Sequence, residues 1–435
     1  FNLDQNTGDG QFGISVAISS EFAIVGANGA KKAFIFKNTG GTWGTTAAHN
    51  LVGLGYSVFG AVANSGFGYS VAISSEFAIV GAPLNRRAFI FKKTGGTWGT
   101  NDAEGTIQAA YTLGTNAISY FGGSVAISSE FIIVGAPNAN KAFIYKYNRG
   151  EDTWETFPAF CSENTATSFS GNFGQSVAIS SEFAIVGAPG TSTPGAKKVF
   201  IFNLLSPTTA AFILENTVDS RFGWSVAMSS QFAIVGSHAN KAFIYKNTDG
   251  IWGTTPAFTL DQYTGYIGFG KSVAISSEFA IVGADGSGTH LSSAKTAFIY
   301  KYNRGEDTWA ALILDQNTGD DMFGSSVAIS SDFAIVGAGS VYSGTIANKA
   351  FIFKNTKSQI STISGATAGD FLVLSVAAGK KVSLVKGGNI KMGTTCKCIA
   401  LDGDEGDTVS LLYDGTNWLI TSKNINTISC NYCYY

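Results

Sequence analysis

Three observations predict an all-β fold: a unit of about 52 residues written seven times, apolar runs of strand length in every unit, and no helical periodicity of useful length. The dipeptide Phe-Gly marks each unit, at Phe12, Phe67, Phe121, Phe173, Phe222, Phe269 and Phe323. Successive gaps are 55, 54, 52, 49, 47 and 54 residues, and the pattern runs to about Thr356. In the first copy the runs are "SVAIS", "FAIVGA" and "KAFIFK", followed by a segment led by Trp43. They are rich in Val, Ile, Phe and Tyr and end at Ser-Ser-Glu or Asn-Thr-Gly-Gly, which are strand and hairpin signals. Their apolar character is nearly continuous, so both faces of each small sheet must be covered. Repeated four-stranded sheets covered on both faces describe a β-propeller, here of seven blades around an axis.

The ends of the chain predict how the ring closes. After its third strand the seventh copy continues "NTKSQISTISGATAG", with no Trp and no fourth strand. The chain opens "FNLDQNTGDG", which matches "LILDQNTGDD" at 312–321 and "FTLDQYTG" at 258–265, the outer strands of earlier blades. Phe1 to Leu3 are therefore expected to supply the outer strand of blade seven, which removes an exposed sheet edge. The expected organisation is a propeller over 1–356 and a small β domain over 357–435. In the second part the runs "FLVLSV", "KKVSLVK", "NIKM", "CKCIAL", "DTVSLLYDG" and "NWLITS" read as six short strands.

The phrase "FGxSVAISxxFAIVGAxxxxxKAFIFxxxGGTW" closely resembles the FG-GAP repeat of seven-bladed propellers such as those of integrin α subunits. The resemblance covers about four fifths of the chain and implies a surface recognition module. Many such blades carry an Asp-x-Asp-x-Asp-Gly calcium loop between the first and second strands. Here that place holds "SSEF", "SSQF" or "SSDF", too poor in carboxylates for six to eight oxygen ligands, so no metal is expected there. The C-terminal stretch "GGNIKM…GDTVSLLYDGTNWLI" resembles the small β domains that end many phage and large-virus fibre proteins, which implies a homo-oligomer, a trimer through 357–435.

Positions kept in all copies are read as scaffold. The Gly of "IVG" (Gly26 to Gly337) is expected where a side chain would clash or φ is positive. The Ser of "FGxS" (Ser15 to Ser326) is expected to hydrogen-bond across the central channel or to a neighbouring blade. Trp43, Trp98, Trp154, Trp252 and Trp309 are read as wedges between blades, and the Glu of Ser-Ser-Glu as a turn residue. No catalytic residue is assigned: the chain has three His, none beside a repeated Ser, and the repeats place small, apolar and hydroxyl residues toward the channel.

Function is sought where the copies differ. In a propeller the turns between strands 1–2 and 3–4 share one face, and the 2–3 loops share the other with the 4–1 crossings between blades. The first group is monotonous, while the second runs from "NGAK" to "DGSGTHLSSAKT". Loops on a rigid scaffold are where binding resides. The candidates are Asn85, Arg86, Arg87, His238, Tyr263, Tyr266, His290 and Tyr342, and no cofactor is implied. Four of five cysteines, Cys396, Cys398, Cys430 and Cys433, lie after the repeats. Two disulfides, free thiols and a zinc site all remain open for them. Disulfides are the expectation in an oxidising compartment, because the Cys-x-Cys spacing departs from the usual zinc pattern.

A net charge of −2 and only 13% charged residues give no electrostatic case for nucleic acid or an anionic membrane, and no run of 18 apolar residues exists. The chain begins without Met or an apolar leader, which suggests a mature or truncated form. The expected role is a non-enzymatic adhesion, recognition or fibre protein, extracellular or on a virion surface. Its variable face would bind a receptor protein, a glycan or a neighbouring subunit. The alternatives are a purely structural subunit of a filament or array and, further off, a propeller-type lyase or glycosidase.

Overall fold

In a computed structural model of the chain the described residues are 1–4, 10–52, 66–101, 107–114, 116–161, 171–190, 197–205, 210–216, 219–237, 239–261, 268–286, 295–314, 322–339 and 348–354. Beyond these it describes the backbones of seven later strands. The chain divides into two compact units, Phe1–Phe353 and Lys354–Tyr435.

The first unit is a seven-bladed β-propeller. Blade six shows the plan: strands Phe269–Ile275, Phe279–Ala284, Thr296–Asn303 and Thr308–Leu314 pair antiparallel in chain order, from the axis outward. The second strand, "FAIVGA", is buried at every described position in all seven blades, as continuous apolar character requires. Seven apolar clusters lie between neighbouring blades, and the last joins blade seven to blade one.

The ring closes as expected. Strand Asn2–Asp4 pairs antiparallel with Lys349–Lys354, with Leu3 opposite Ala350. The Phe1 ammonium donates to the Ile352 carbonyl, and the Ile352 N–H donates back to Phe1 O, both at 2.8 Å. Leu3 is fully buried with Phe333, Ile335 and Ile352.

Each constant position has a packing reason. In all seven blades the Phe-Gly glycine has φ between +88° and +92°, a region that favours glycine. The Ser two places later donates to the carbonyl of the next blade's Phe-Gly glycine. Ser15 bonds Gly68 at 2.9 Å, Ser225 bonds Gly270 at 2.7 Å, and Ser326 closes the ring on Gly13 at 2.9 Å. The "IVG" glycine lies under that bond: a Cβ on Gly81 would sit 2.2 Å from both Gly122 O and Ser70 Oγ. Close approach, with no positive φ, is thus the reason for this glycine. The tryptophans are wedges. Trp98 of blade two meets Phe22 of blade one edge-on at 5.3 Å, and Trp43 of blade one meets Phe333 of blade seven in the same way. "SSEF" is a closed turn in which the Ser19 and Phe22 backbones bond at 2.7 Å, and Phe22 N–H donates to Ser19 Oγ at 3.0 Å.

One element has no counterpart in the expected plan. After Trp98 the chain makes strands Thr100–Asn101 and Ile107–Gln108, and the second pairs parallel with the outer strand of blade one at Leu51. Blade two thus clips the outer edge of its neighbour. Cys161 ends the outer strand of blade three, Thr153–Cys161, opposite Phe143.

The second unit holds a three-stranded and a four-stranded sheet. The six expected runs appear as Phe371–Ser375, Lys381–Val385, Ile390–Lys391, Cys398–Asp402, Thr408–Tyr413 and Trp418–Asn424. A further strand, Gln359–Ile360, stands in a segment read as lacking one.

Candidate functional site

The 2–3 loops and 4–1 crossings meet on one face, as the connectivity demands. Ala30 N–H from the first 2–3 loop donates to Gly10 O of a crossing, and Gly190 N–H donates to Gly171 O. In blades one to three the 2–3 loop is one 3-10 turn, Asn28–Ala30, Pro83–Asn85 or Pro137–Ala139, capped by a left-handed residue, Lys31, Arg86 or Asn140.

Three of the candidate residues lie in or beside the second of these turns. Asn85 is half-buried at its end. Arg86 and Arg87 both reach Asn116 in the crossing to blade three. The Arg86 guanidinium donates to its carbonyl, and Arg87 donates to Asn116 Oδ1 at 2.7 Å. These arginines therefore brace two neighbouring connections against each other. His238, Tyr263, Tyr266, His290 and Tyr342 lie outside the described residues, as do Cys396, Cys430 and Cys433. Of Cys398 only the backbone is described, opposite Val385.

Sequence reasoning passed over a ring on this face. The residue between the invariant Gly and Ser of "FGxS" differs in every copy: Ile14, Tyr69, Gly123, Gln175, Trp224, Lys271 and Ser325. Each begins the innermost stretch of its blade, and the innermost strands pack side by side in a closed circle. Each is held alike, its N–H donating to the carbonyl three residues back at 2.9–3.1 Å, as in Tyr69 to Gly66 and Trp224 to Arg221. All seven are at least partly exposed. The signal was available as the one position where an otherwise uniform stretch carries seven different residues.

Ring residues lean on side chains beside the ring. Tyr69 of blade two meets Tyr120 of blade three edge-on at 5.8 Å. Burial first, and then a hydrogen bond with Tyr69, hold the Tyr120 phenol above its ordinary range. Tyr120 occupies the space that a side chain on residue 123 would need, since a Cβ there would lie 2.9 Å from Tyr120 Cδ1. Blade three thus presents an aromatic ring over a glycine. The Arg221 guanidinium lies 5.1 Å from the Trp224 ring centroid, and the Lys271 ammonium is 3.4 Å from Asp285.

The opposite face carries a different chemistry. "YKYNRGEDTW" occurs at 145–154 and again at 300–309, in blades three and six. In blade three Asp152 accepts from Lys92 of blade two at 2.7 Å and from the Tyr111 and Tyr147 hydroxyls. In blade six Asp307 is paired with Lys246 at 2.9 Å and accepts from the Tyr302 hydroxyl at 2.5 Å. The bond from Lys92, then those from the two tyrosines, hold the Asp152 carboxyl well below the carboxylate range. Asp152 in turn raises Lys92. Burial, then the bond to Asp152, raises Tyr111. Every one of these shifts moves its group away from neutral pH, opposite to the tuning of a general acid or base. The cluster is a clamp between blades. Glu21 and Glu76 act similarly, through Lys93 at 3.5 Å and Arg149 at 3.2 Å of the next blade. Among the described residues no group of three or more His, Cys, Asp or Glu comes together to hold a metal.

The family model for the FG-GAP repeat matches residues 167–202 and 310–353. No curated protein matches the chain in sequence. Among solved structures it is similar to the WD40 β-propeller domain of Doa1, at 12% identity and a TM-score of 0.46, over 81% of this chain and 95% of that one. The matched stretches contain the Phe-Gly pairs of blades four and seven, where the positive-φ glycine and the inter-blade Ser bond were found. The chain carries FG-GAP repeats folded as a seven-bladed β-propeller.

Proposed function

We propose that this propeller is a non-enzymatic recognition module, displayed outside the cell or on a virion surface, whose 2–3/4–1 face binds a receptor protein, a glycan or a neighbouring subunit. One observation carries the reading. The constant residues are used up in holding blade to blade, while variation collects on a single face and in one ring at its centre. FG-GAP repeats are typical of extracellular or surface proteins. No helix among the described residues is long and apolar enough to cross a membrane. Residues 357–435 are assigned the oligomerising role, as a homotrimer.

The test is binding of the labelled full chain to arrayed glycans and arrayed cell-surface proteins, beside a variant in which the second 2–3 loop, "PLNRR", is replaced by "NGAKK". The expected result is binding by the parent and loss of at least tenfold in the variant, with melting temperatures matched. No binding on either array, together with filament assembly by the pure chain, would establish a purely structural subunit instead.

A further inference from the structure

We propose that the ring of divergent residues at the mouth of the central channel is a saccharide-binding site, with Trp224 and the Tyr69–Tyr120 pair as its stacking surfaces. The proposal rests on the recognition reading above and adds a ligand class and a location to it.

Variation in the ring is not explained by exposure. Ser20 and Glu21 of the first 1–2 turn are exposed, and the same Ser-Ser-Glu is written in five of the seven blades. Exposed positions of this chain therefore stay uniform where nothing distinguishes the blades, and the ring position is different in all seven. What the ring presents also has a definite chemistry. Trp224, immediately before the innermost strand Ser225–Met228, is partly exposed, while Trp43, Trp98 and Trp252 are buried as wedges between blades. Tyr69 is 36% exposed beside Tyr120. Between these aromatic groups around the circle stands Gln175, which offers both a donor and an acceptor.

An aromatic face takes up apolar C–H surface, and amide and phenol groups exchange hydrogen bonds with groups that both donate and accept. A sugar ring has both features: an apolar C–H face and a rim of hydroxyls. An anionic ligand suits the ring less well, because Lys271 already faces Asp285 and Arg221 lies against Trp224. A peptide joining as an added strand would need an open sheet edge. The innermost strands here are packed in a closed circle.

The test uses the full chain and its intrinsic tryptophan emission, of which the part due to Trp224 is read by difference from Trp224→Phe. Lactose, cellotriose, chitotriose and 3′-sialyllactose are titrated, with emission and calorimetry read together. At least one neutral oligosaccharide is expected to bind and to shift the emission. Trp224→Phe should remove the emission change, Trp224→Ala and Tyr69→Ala should each weaken binding about tenfold, and Glu21→Ala on the opposite face should leave it unchanged. Binding of sialyllactose alone would overturn the choice of a neutral ring and move the contact to Lys271 and Arg221. Absence of binding by all four sugars, or binding that survives Trp224→Ala at an unchanged melting temperature, would overturn the proposal. The recognition reading fails separately, when the arrays show no ligand of any class. Protein binding that is lost with "PLNRR" but indifferent to Trp224 would keep that reading and sink this one.

Discussion

Gly81 and Gly95 show two different reasons for a glycine at the scale of one residue. Gly95 is in an exposed turn at φ +60°, with nothing within 4 Å of a Cβ built there. Gly95→Ala should therefore cost only the left-handed strain of an L-residue, about 1 kcal/mol. Gly81 has an ordinary φ, but its Cβ would meet the Gly122 carbonyl and the Ser70 hydroxyl at 2.2 Å. Gly81→Ala must displace the next blade and break the Ser70 bond, at about 2–4 kcal/mol from overpacking and the lost hydrogen bond together. Denaturant midpoints of the two variants would check this, and equal losses would refute the inter-blade role. Asp152 gives a pH prediction at the same scale. The Lys92 ammonium and the two tyrosine hydroxyls hold its folded-state carboxyl below the ordinary carboxylate range, so the unfolded chain takes up the proton first as pH falls. The contribution of the clamp is complete above about pH 4 and fades as pH drops toward the lower folded value. Because the pair is half-exposed the effect is small, under about 1 kcal/mol. Asp152→Asn should flatten the acid limb of the melting-temperature profile and lower the plateau slightly. An unchanged acid limb would show that the clamp contributes nothing.

Among the elements, the outer strand shows most clearly what holds blades together. Its Trp reaches back to the Phe that opens the second strand of the previous blade, as in Trp98 to Phe22, Trp154 to Phe77 and Trp309 to Phe232. Trp98→Ala should cost about 3–5 kcal/mol through the cavity left between blades one and two. Trp98→Phe should cost distinctly less, because an edge-on ring contact can persist. A Trp98→Ala cost within experimental error would refute the wedge. Much of this element was legible in the sequence, since continuous apolar runs, constant glycines and a Trp in five of the seven units are local signals repeated many times. The clip of Ile107 on Leu51 was not legible, because it depends on which insertion meets which edge in space. The same limit explains the candidate face. "PLNRR" reads as a free basic loop, and only the fold shows both arginines turned onto Asn116. The ring residues were hidden for a different reason. Each is a single variable letter inside a scaffold phrase, and they form a site only when seven blades bring their starts together.

On the scale of the whole molecule, a propeller is a ring of similar pairwise contacts, so its stability depends on having no open joint. Blades one to six take all four strands from consecutive chain, and a break between any of them is still bridged by a covalent crossing. Blade seven differs: its outer strand, Asn2–Asp4, comes from the other end of the chain, 345 residues in sequence from Lys349. Ser326 to Gly13 and Trp43 to Phe333 also tie blade seven to blade one, but the chain that leads from Asn2–Asp4 into blade one has no covalent link to Lys349–Lys354. Removal of residues 1–9 deletes the Phe1–Ile352 bonds and exposes the site of Leu3, and truncating one such buried leucine to Ala alone costs about 2–5 kcal/mol. It also bares the edge Lys349–Lys354 for pairing with other chains. The truncated protein should melt several degrees lower and associate as concentration rises, whereas Leu3→Ala should lower the melting temperature without association, because the edge stays paired. Scanning calorimetry and light scattering at two concentrations would separate the two effects. An unchanged transition in the truncated chain would mean that the joint is held by the Ser326 and Trp43 contacts and that the N-terminal strand is ornamental to stability.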